Sequence, residues 1–295
     1  MTGDFAFIRT TRFGPAEDLL AQRLERTFGA GNVAVCVDES RGPVGTGRWP
    51  KTALTPARAE ALVGGPLPPD WGWRMGDLCH MAVAESFGPK ARQWLVESDV
   101  YLPPDAAEIF TRLGAIEADF LACDLRRKKV KPIAEAVTLV LPTAEWGCIF
   151  ALNRLAGGRI AALRTARRAV VAALAGQKRK MPNDEAMVAN LGAASGWMMA
   201  DLYTVAPEVF SPHWFATNPP NSTRGDGGAH GLRGPSGPEP GRGVRPHPRA
   251  GGQRPSTALQ PGPTAPNPAR AACRRCGYPA CPAWQPRKRC VNRSV

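Results

Sequence analysis

Nowhere in its 295 residues does the chain hold about 18 consecutive apolar residues, so a membrane-spanning helix is excluded on sequence grounds. The nearest approach, residues 160–175, is interrupted by Arg164, Arg167 and Arg168 and reads as an amphipathic helix. The start is equally poor in such signals. Met1-Thr2-Gly3-Asp4 is followed only by Phe5-Ala6-Phe7-Ile8 before Arg9, too short an apolar run for a secretory leader. These absences lead to the expectation of a soluble, cytoplasmic protein, with peripheral contact at the inner membrane as the membrane association left open. No internal repeat is present.

Net charge is also missing from most of the chain. Residues 221–295 carry 13 Lys+Arg against 2 Asp+Glu, a balance of +11, which leaves 25 against 23, or +2, for residues 1–220 out of the total of +13. An argument from overall charge to nucleic-acid binding therefore applies to the tail alone. That tail contains 13 Pro and 12 Gly but only five residues from the set Val, Ile, Leu, Met and Phe. It cannot bury enough apolar surface to offset chain entropy, so a body over residues 1–218 and a disordered tail over 219–295 are expected. The Pro-Gly-Arg-Ala bias, with Lys288 as the tail's single Lys, is equally what out-of-frame translation of GC-rich DNA yields. Cys273, Cys276, Cys281 and Cys290 offer four thiols, a number that suits Zn²⁺, but the spacing lacks a second close pair. Cys36, Cys79, Cys123 and Cys148 sit in apolar contexts and read as reduced core residues.

The body has the signals of an α/β fold. Phe5-Ala6-Phe7-Ile8-Arg9 and Val33-Ala34-Val35-Cys36-Val37-Asp38 flank a helical stretch over 16–27, a β-α-β pattern with a parallel pair. Asp38, at the end of the second strand, is placed to hydrogen-bond a nucleoside or to close a turn. Thr55 before Pro56 predicts a helix running to Val63, ended by Gly64 and Gly65. A further helix is expected over 78–87, strands over 120–123 and 136–141, and helix over most of 150–175.

Within this pattern the segment 93–102 stands out. Gln93-Trp94-Leu95-Val96 runs into Glu97 and Asp99, two acids at i and i+2. In a strand of period two both carboxylates face one side, at the strand end where α/β folds bind ligands. Mn²⁺ or Mg²⁺ often takes one or two protein carboxylates and completes its shell with water and phosphate, so a sparse pair suits a metal–diphosphate site. A strand entering a solvated turn closed by Pro103 and Pro104 accounts for the same residues.

Read in order, Trp71-Gly72-Trp73-Arg74-x-Gly76-Asp77, Trp94-Leu95-Val96-Glu97-x-Asp99-Val100 and Pro182-Asn183-Asp184-Glu185 resemble a bacterial family of glycosyltransferase-like proteins. That family has the nucleotide-diphospho-sugar transferase (GT-A) fold, and the similarity covers about residues 5–217, including Val37-Asp38-Glu39, Trp49-Pro50-Lys51 and Phe150-Ala151-Leu152-Asn153-Arg154-Leu155. The resemblance implies a Rossmann-type three-layer sandwich with a mostly parallel central sheet. It also implies metal-dependent transfer of a sugar from a nucleotide-diphospho-sugar donor to a glycan or lipid-linked acceptor.

By the same resemblance Glu97 and Asp99 are the counterpart of the metal-holding Asp-x-Asp signature, and Asp184 or Glu185 supplies the general base on the acceptor hydroxyl, with Asp184 preferred. Helix N-capping and first-turn charge explain the latter pair as well. An anionic donor needs cations beside the acids, for which Arg74, then Arg9 or Arg12, are the candidates. Asp77 either caps a helix or touches ribose. Trp71 and Trp73 stack on a base or sugar, or serve as core and rim packing. His80 and His213 read as structural hydrogen-bonders.

The sequence departs from the family in the basic run Arg126-Arg127-Lys128-Lys129-Val130-Lys131, which meets phosphate or anionic headgroups or is a solvated loop. From about Asn218 the resemblance stops. Two alternatives follow from the tail: non-catalytic nucleic-acid or anionic-surface binding through its arginines, without a specific nucleic-acid target, or an inactive, truncated transferase.

Overall fold

The computed structural model describes residues 3–103, 105–128 and 134–210, together with the backbone of the short strand His230–Gly231. The expected tail over 219–295 with its four cysteines, His213, and Lys129 to Lys131 of the basic run otherwise lie outside the described residues.

In chain order the elements are β1 (Asp4–Thr10), α1 (Pro15–Phe28), β2 (Val33–Asp38), β3 (Lys51–Leu54), α2 (Pro56–Val63), α3 (Trp71–Arg74) and α4 (Asp77–Phe87). There follow β4 (Arg92–Glu97), β5 (Val100–Tyr101), α5 (Ala106–Gly114), β6 (Phe120–Arg127), β7 (Trp146–Ala156), α6 (Ile160–Leu174), α7 (Asp184–Ala194), β8 (Met199–Asp201) and α8 (Leu202–Val205). Seven strands form one sheet in the order β3-β2-β1-β4-β7-β6-β8. All its pairings are parallel except the two made by β7, so the expectation of a mostly parallel α/β sheet holds.

Strand alternation explains the layering. On β1, Phe5 and Phe7 enter one core while Ala6 and Ile8 enter the other; on β4, Leu95 goes one way and Trp94 and Val96 the other. The first core is closed by Leu62 of α2, Met81 of α4, Leu163 of α6 and Met187 of α7. The second is closed by Leu24 of α1, Phe110 of α5 and Leu202 of α8. A sheet covered on both faces reads as continuous apolar runs, as β1 and β2 do. The expected cap at Thr55 is present: its side chain accepts from Arg58 N at 3.3 Å, and Gly64 ends α2 in the left-handed region.

Two expectations are corrected. Residues 136–141 do not form a strand; Glu135–Leu139 is a 3₁₀ turn whose Ala136 and Val137 pack into the helix-covered core. Nor does a helix begin near Phe150, because Trp146–Ala156 is β7, wedged between β4 and β6. A run buried on both faces carries no period by which strand and helix can be told apart, and pairing on both sides decides for strand.

One core feature constrains the site from behind. Arg167 of α6 is fully buried and grips Asp77 in a two-pronged pair, Nε to Oδ2 at 2.8 Å and Nη2 to Oδ1 at 2.7 Å, with Nη1 donating to Pro182 O. Asp77 therefore anchors the start of α4 to the loop before α7. Removing one partner of such a pair strands the other charge, at a cost of about 3–5 kcal/mol, whereas replacing both by apolar groups is far milder. Asp77→Ala is accordingly expected to lose stability on that scale in denaturant unfolding of the full chain, and Asp77→Ala with Arg167→Met to regain most of it.

Candidate active site

The chain runs from β1 outward through β2 to β3 and then returns to the other side of β1 to form β4, so the strand order reverses between β1 and β4. Helices and loops leave that point in opposite directions, opening a crevice at the carboxyl ends of the strands. A cleft of about 900 Å³ lies there, lined by the ends of β1 (Arg9, Thr10), β2 (Asp38), β3 (Leu54) and β4 (Glu97), and by Ser98 and Asp99 beyond it. The loop with Ser40 and Arg41 forms one wall and the turn around α3 the other.

Arg9 holds this site together. Its Nη1 donates to Glu97 Oε1 at 2.6 Å and reaches Asp184 Oδ2 at 3.4 Å, while Nη2 donates to the carbonyls of Gly72 and Trp73 at 2.7 and 2.6 Å. One guanidinium thus joins β1, β4, α7 and the α3 turn. Burial works against its charge, but Glu97 and Asp184 overcome that and hold its pKa above the ordinary arginine value.

The glycines of the Trp-Gly-Trp-Arg-x-Gly motif are required by close approach. A Cβ on Gly72 would overlap the Asp38 carboxylate, and one on Gly76 would overlap Arg9 Nη1 and sit 2.6 Å from Asp184 Oδ2. Gly76 N also donates to Asp184 Oδ2 at 2.8 Å. Trp71 is buried beneath the cleft wall, and Trp73 stands at the rim, 78% exposed. The two tryptophans therefore divide between core and rim.

Of the expected site residues, Arg9, Asp38, Glu97 and Asp99 come together around the cleft. Asp38 Oδ1 accepts from Ser40 N at 2.8 Å, which shapes the loop. Glu97 closes β4, and Asp99 follows in a turn before β5, so it is a turn and not strand alternation that brings both acids to the cleft. Arg74 does not line the cleft; it pairs with Asp70 at 3.2 Å, one turn back. Asp77 is fully buried against Arg167 and cannot touch ribose, and Arg12 is a surface residue 3.6 Å from Glu17.

Neither of the two expected general bases, Asp184 and Glu185, lines the cleft. Asp184 is only 4% exposed and does not line the cleft; besides Arg9 and Gly76 N, it accepts from Glu185 N at 2.8 Å. Enclosed by donors, it has no route to an acceptor hydroxyl, because the first turn of α7 packs directly onto Gly76. Glu185 accepts from the Asn183 side-chain amide at 3.0 Å and is likewise outside the cleft lining. Asn183 is the N-cap, accepting from Ala186 N at 3.2 Å. Burial, with Asp77, Glu185 and Glu97 nearby, pushes the Asp184 carboxyl up to about 7 even though Arg9 opposes the shift. His80 is neutralised by burial between Gln93 and Asn153, the structural part expected of it.

Sequence reasoning missed Arg167 and Cys79. Arg167 shares the stripe of Leu163, Val170, Val171 and Leu174, and a cation on an apolar stripe is itself a signal for a buried acid partner. Cys79 carries no such signal; its place in the cleft lining follows from the tilt of α4.

No protein-family model matches the chain, and no curated protein matches it. No helix among the described residues is long and apolar enough to cross a membrane.

Two outcomes follow. Gly76→Ala should force apart Arg9 and Asp184 and cost about 1–3 kcal/mol in urea unfolding, whereas Gly158→Ala, with open space around it, should be near neutral. The second concerns pH. The Asp184 carboxyl titrates near its ordinary 3.8 when unfolded and near 7 when folded, so between those values the folded state holds the extra proton. Stability from this group is complete below about pH 4 and is lost as the pH rises to about 7. Asp184→Asn is expected to flatten that part of the stability profile measured by denaturant titration.

Proposed function

We propose that the chain is a metal-dependent transferase that moves a sugar from a nucleotide-diphospho-sugar to an acceptor hydroxyl on a glycan or lipid-linked carrier. The observation that carries this reading is the cleft at the strand-order reversal, whose lining contains Asp38, Asp70, Glu97 and Asp99 but only Arg9 and Arg41 as cations. A cleft of this volume suits a nucleotide-sized ligand. Four acids against two arginines repel a diphosphate; two like charges 4 Å apart cost about 4 kcal/mol at an effective dielectric of 20. A diphosphate binds there only if something cancels the acid excess.

The donor set fits a hard divalent cation. Glu97 and Asp99 are oxygen ligands on one turn, and although no group of three or more His, Cys, Asp or Glu gathers among the described residues, Mn²⁺ or Mg²⁺ at a phosphate site commonly uses two carboxylates and leaves the rest to water and substrate. When bound, the ion supplies Lewis-acid stabilisation of the charge that develops on the departing diphosphate. The chain's own residues do the positioning. Asp38 accepts from donor hydroxyls or base N–H groups, Arg9 and Arg41 face the phosphates, and Trp73 presents a flat face at the rim. With Asp184 closed off, the carboxylates able to accept a proton from an acceptor are Asp38, Asp70, Glu97 and Asp99.

Asp184 becomes a positioning residue: fixed by the N–H of Gly76, it accepts from Arg9, and Arg9 holds Glu97 at the end of β4. In this reading the protein works in the cytoplasm, with peripheral contact at the inner membrane giving access to a lipid-linked acceptor. GT-A membership remains the finer form of the same proposal, supported by the α/β sheet with its single antiparallel strand and by the placement of Glu97 and Asp99 beside the cleft.

The test is hydrolysis of nucleoside-diphosphate sugars by the full chain with Mn²⁺. Asp99→Asn is expected to lower turnover at least ~100-fold, the scale of removing one stabiliser of transition-state charge. Absence of turnover with every common donor, or an Asp99→Asn variant as active as the parent, would overturn the reading.

A further inference from the structure

Arg9 and Arg41 both line the cleft, and their hydrogen-bond donors separate their roles. A guanidinium has five N–H groups, four of them on its two terminal nitrogens. In Arg9 those four are engaged by the fold: Nη1 serves Glu97 Oε1 at 2.6 Å and Asp184 Oδ2 at 3.4 Å, and Nη2 serves the carbonyls of Gly72 and Trp73 at 2.7 and 2.6 Å. Only the hydrogen on Nε, inside the side chain, lies outside that set. Turning the head toward a phosphate would take the cation away from buried Asp184 and the donor away from two carbonyls. The backbone of Gly76 packs against Nη1 and leaves it no space to swing.

Arg41 is the opposite case. It is exposed, it lines the cleft from the loop after β2, and no carboxylate among the described residues lies within ion-pair distance of it. The loop that carries it is tied down on both sides. Ser40 N donates to Asp38 Oδ1 at 2.8 Å, Gly42 N to Glu39 O at 3.1 Å and Val44 N to Glu39 Oε1 at 2.9 Å. Lys51 of β3 closes the other side, bonding Glu39 Oε1 at 2.7 Å and Val44 O at 2.9 Å. Gly42, at φ 125°, turns the chain directly after Arg41. A long cation with unspent donors on a fixed backbone is thus presented to the cleft, and no backbone has to be ordered when it binds.

We infer that Arg41 is the side chain that grips the diphosphate of the cleft ligand, and that Arg9, although it faces the same space, is committed to the fold. The nature of the ligand, a diphosphate accompanied by a divalent cation, rests on the transferase reading; the division of labour between the two arginines rests on their donors. The planar fork of Arg41 offers two parallel N–H bonds to a pair of phosphate oxygens, and its charge offsets part of the acid excess of the cleft. Arg9 acts on the ligand only through Glu97, which it holds at the end of β4. Arg9 is therefore a positioning residue and Arg41 a binding residue.

The experiment is isothermal titration of the full chain, in the presence of Mg²⁺, with inorganic pyrophosphate and with the common nucleoside diphosphates. Arg41→Gln is expected to raise Kd about 10- to 100-fold, the scale of losing a hydrogen bond to a charged group. Arg41→Lys, which keeps the charge but not the fork, should recover part of the loss. Arg12→Gln, at a surface cation outside the cleft, should leave Kd unchanged. The urea unfolding midpoint of Arg41→Gln should match the parent, because the fold does not use that guanidinium. A parent chain that binds no diphosphate, or an Arg41→Gln variant that binds it as tightly as the parent, overturns the inference. If Arg41→Gln keeps both diphosphate affinity and donor turnover, Arg41 is not the clamp and the transferase reading stands. If diphosphate binds through Arg41 while no nucleoside-diphosphate sugar is turned over, the transferase reading fails and the clamp stands.

Discussion

A single desolvated guanidinium sets the geometry of the cleft. Arg9 projects from the end of a central strand to the edge of the cleft, against the α3 turn and the start of α7, where it is largely desolvated and a charge without partners would be costly. Its environment therefore supplies two carboxylates and two carbonyls, from three separate parts of the chain. Each partner restricts its own neighbourhood. The carbonyls of Gly72 and Trp73 can face Arg9 only if the α3 turn comes down against the strand ends, and that approach leaves no room for a Cβ at 72 or 76. The spacing of the Trp-Gly-Trp-Arg-x-Gly-Asp motif is thus the footprint of a chain wrapped around one cation.

A second buried arginine repeats the principle farther back. Arg167 and Asp77 form a closed pair in the first core, and the spare nitrogen of Arg167 caps Pro182 O just before α7. Asp77 and Asp184, both within reach of the cleft wall in sequence terms, are consumed as structural anchors, one by each arginine. What remains in the cleft is Asp38, Asp70, Glu97 and Asp99; Asp38 accepts from Ser40 N, Asp70 pairs with Arg74, and Glu97 pairs with Arg9. This division separates the acids enclosed in the fold from those that line the cleft.

The sheet gives the arrangement its rigidity. Its strands carry apolar side chains into both cores, and Gln93 and Asn153 hydrogen-bond His80 of α4 at 3.1 and 2.8 Å. The site is therefore mounted on four parallel strand ends with little freedom to shift, as a positioning scaffold requires.

Much of this was legible in the chain. The apolar runs of β1 and β2, the Thr55-Pro56 cap, the Gly64 stop and the acids at the end of β4 are local signals, because propensity, capping and backbone reach act over a few residues. Residues 146–156 were not legible, since a run buried on both faces shows no period and only neighbouring strands choose its conformation; at 135–139 the β-branched run suggested a strand, but no strand pairs with it and Ala136 and Val137 pack from a 3₁₀ turn. The same limit applied to function. Residue types and spacing determined an α/β chain with acids at its strand ends. Tertiary structure alone decided that Asp184 and Asp77 are sealed anchors while Asp38, Glu97 and Asp99 share a cleft, because which carboxylate is desolvated and which reaches solvent depends on contacts between segments about 90 to 175 residues apart.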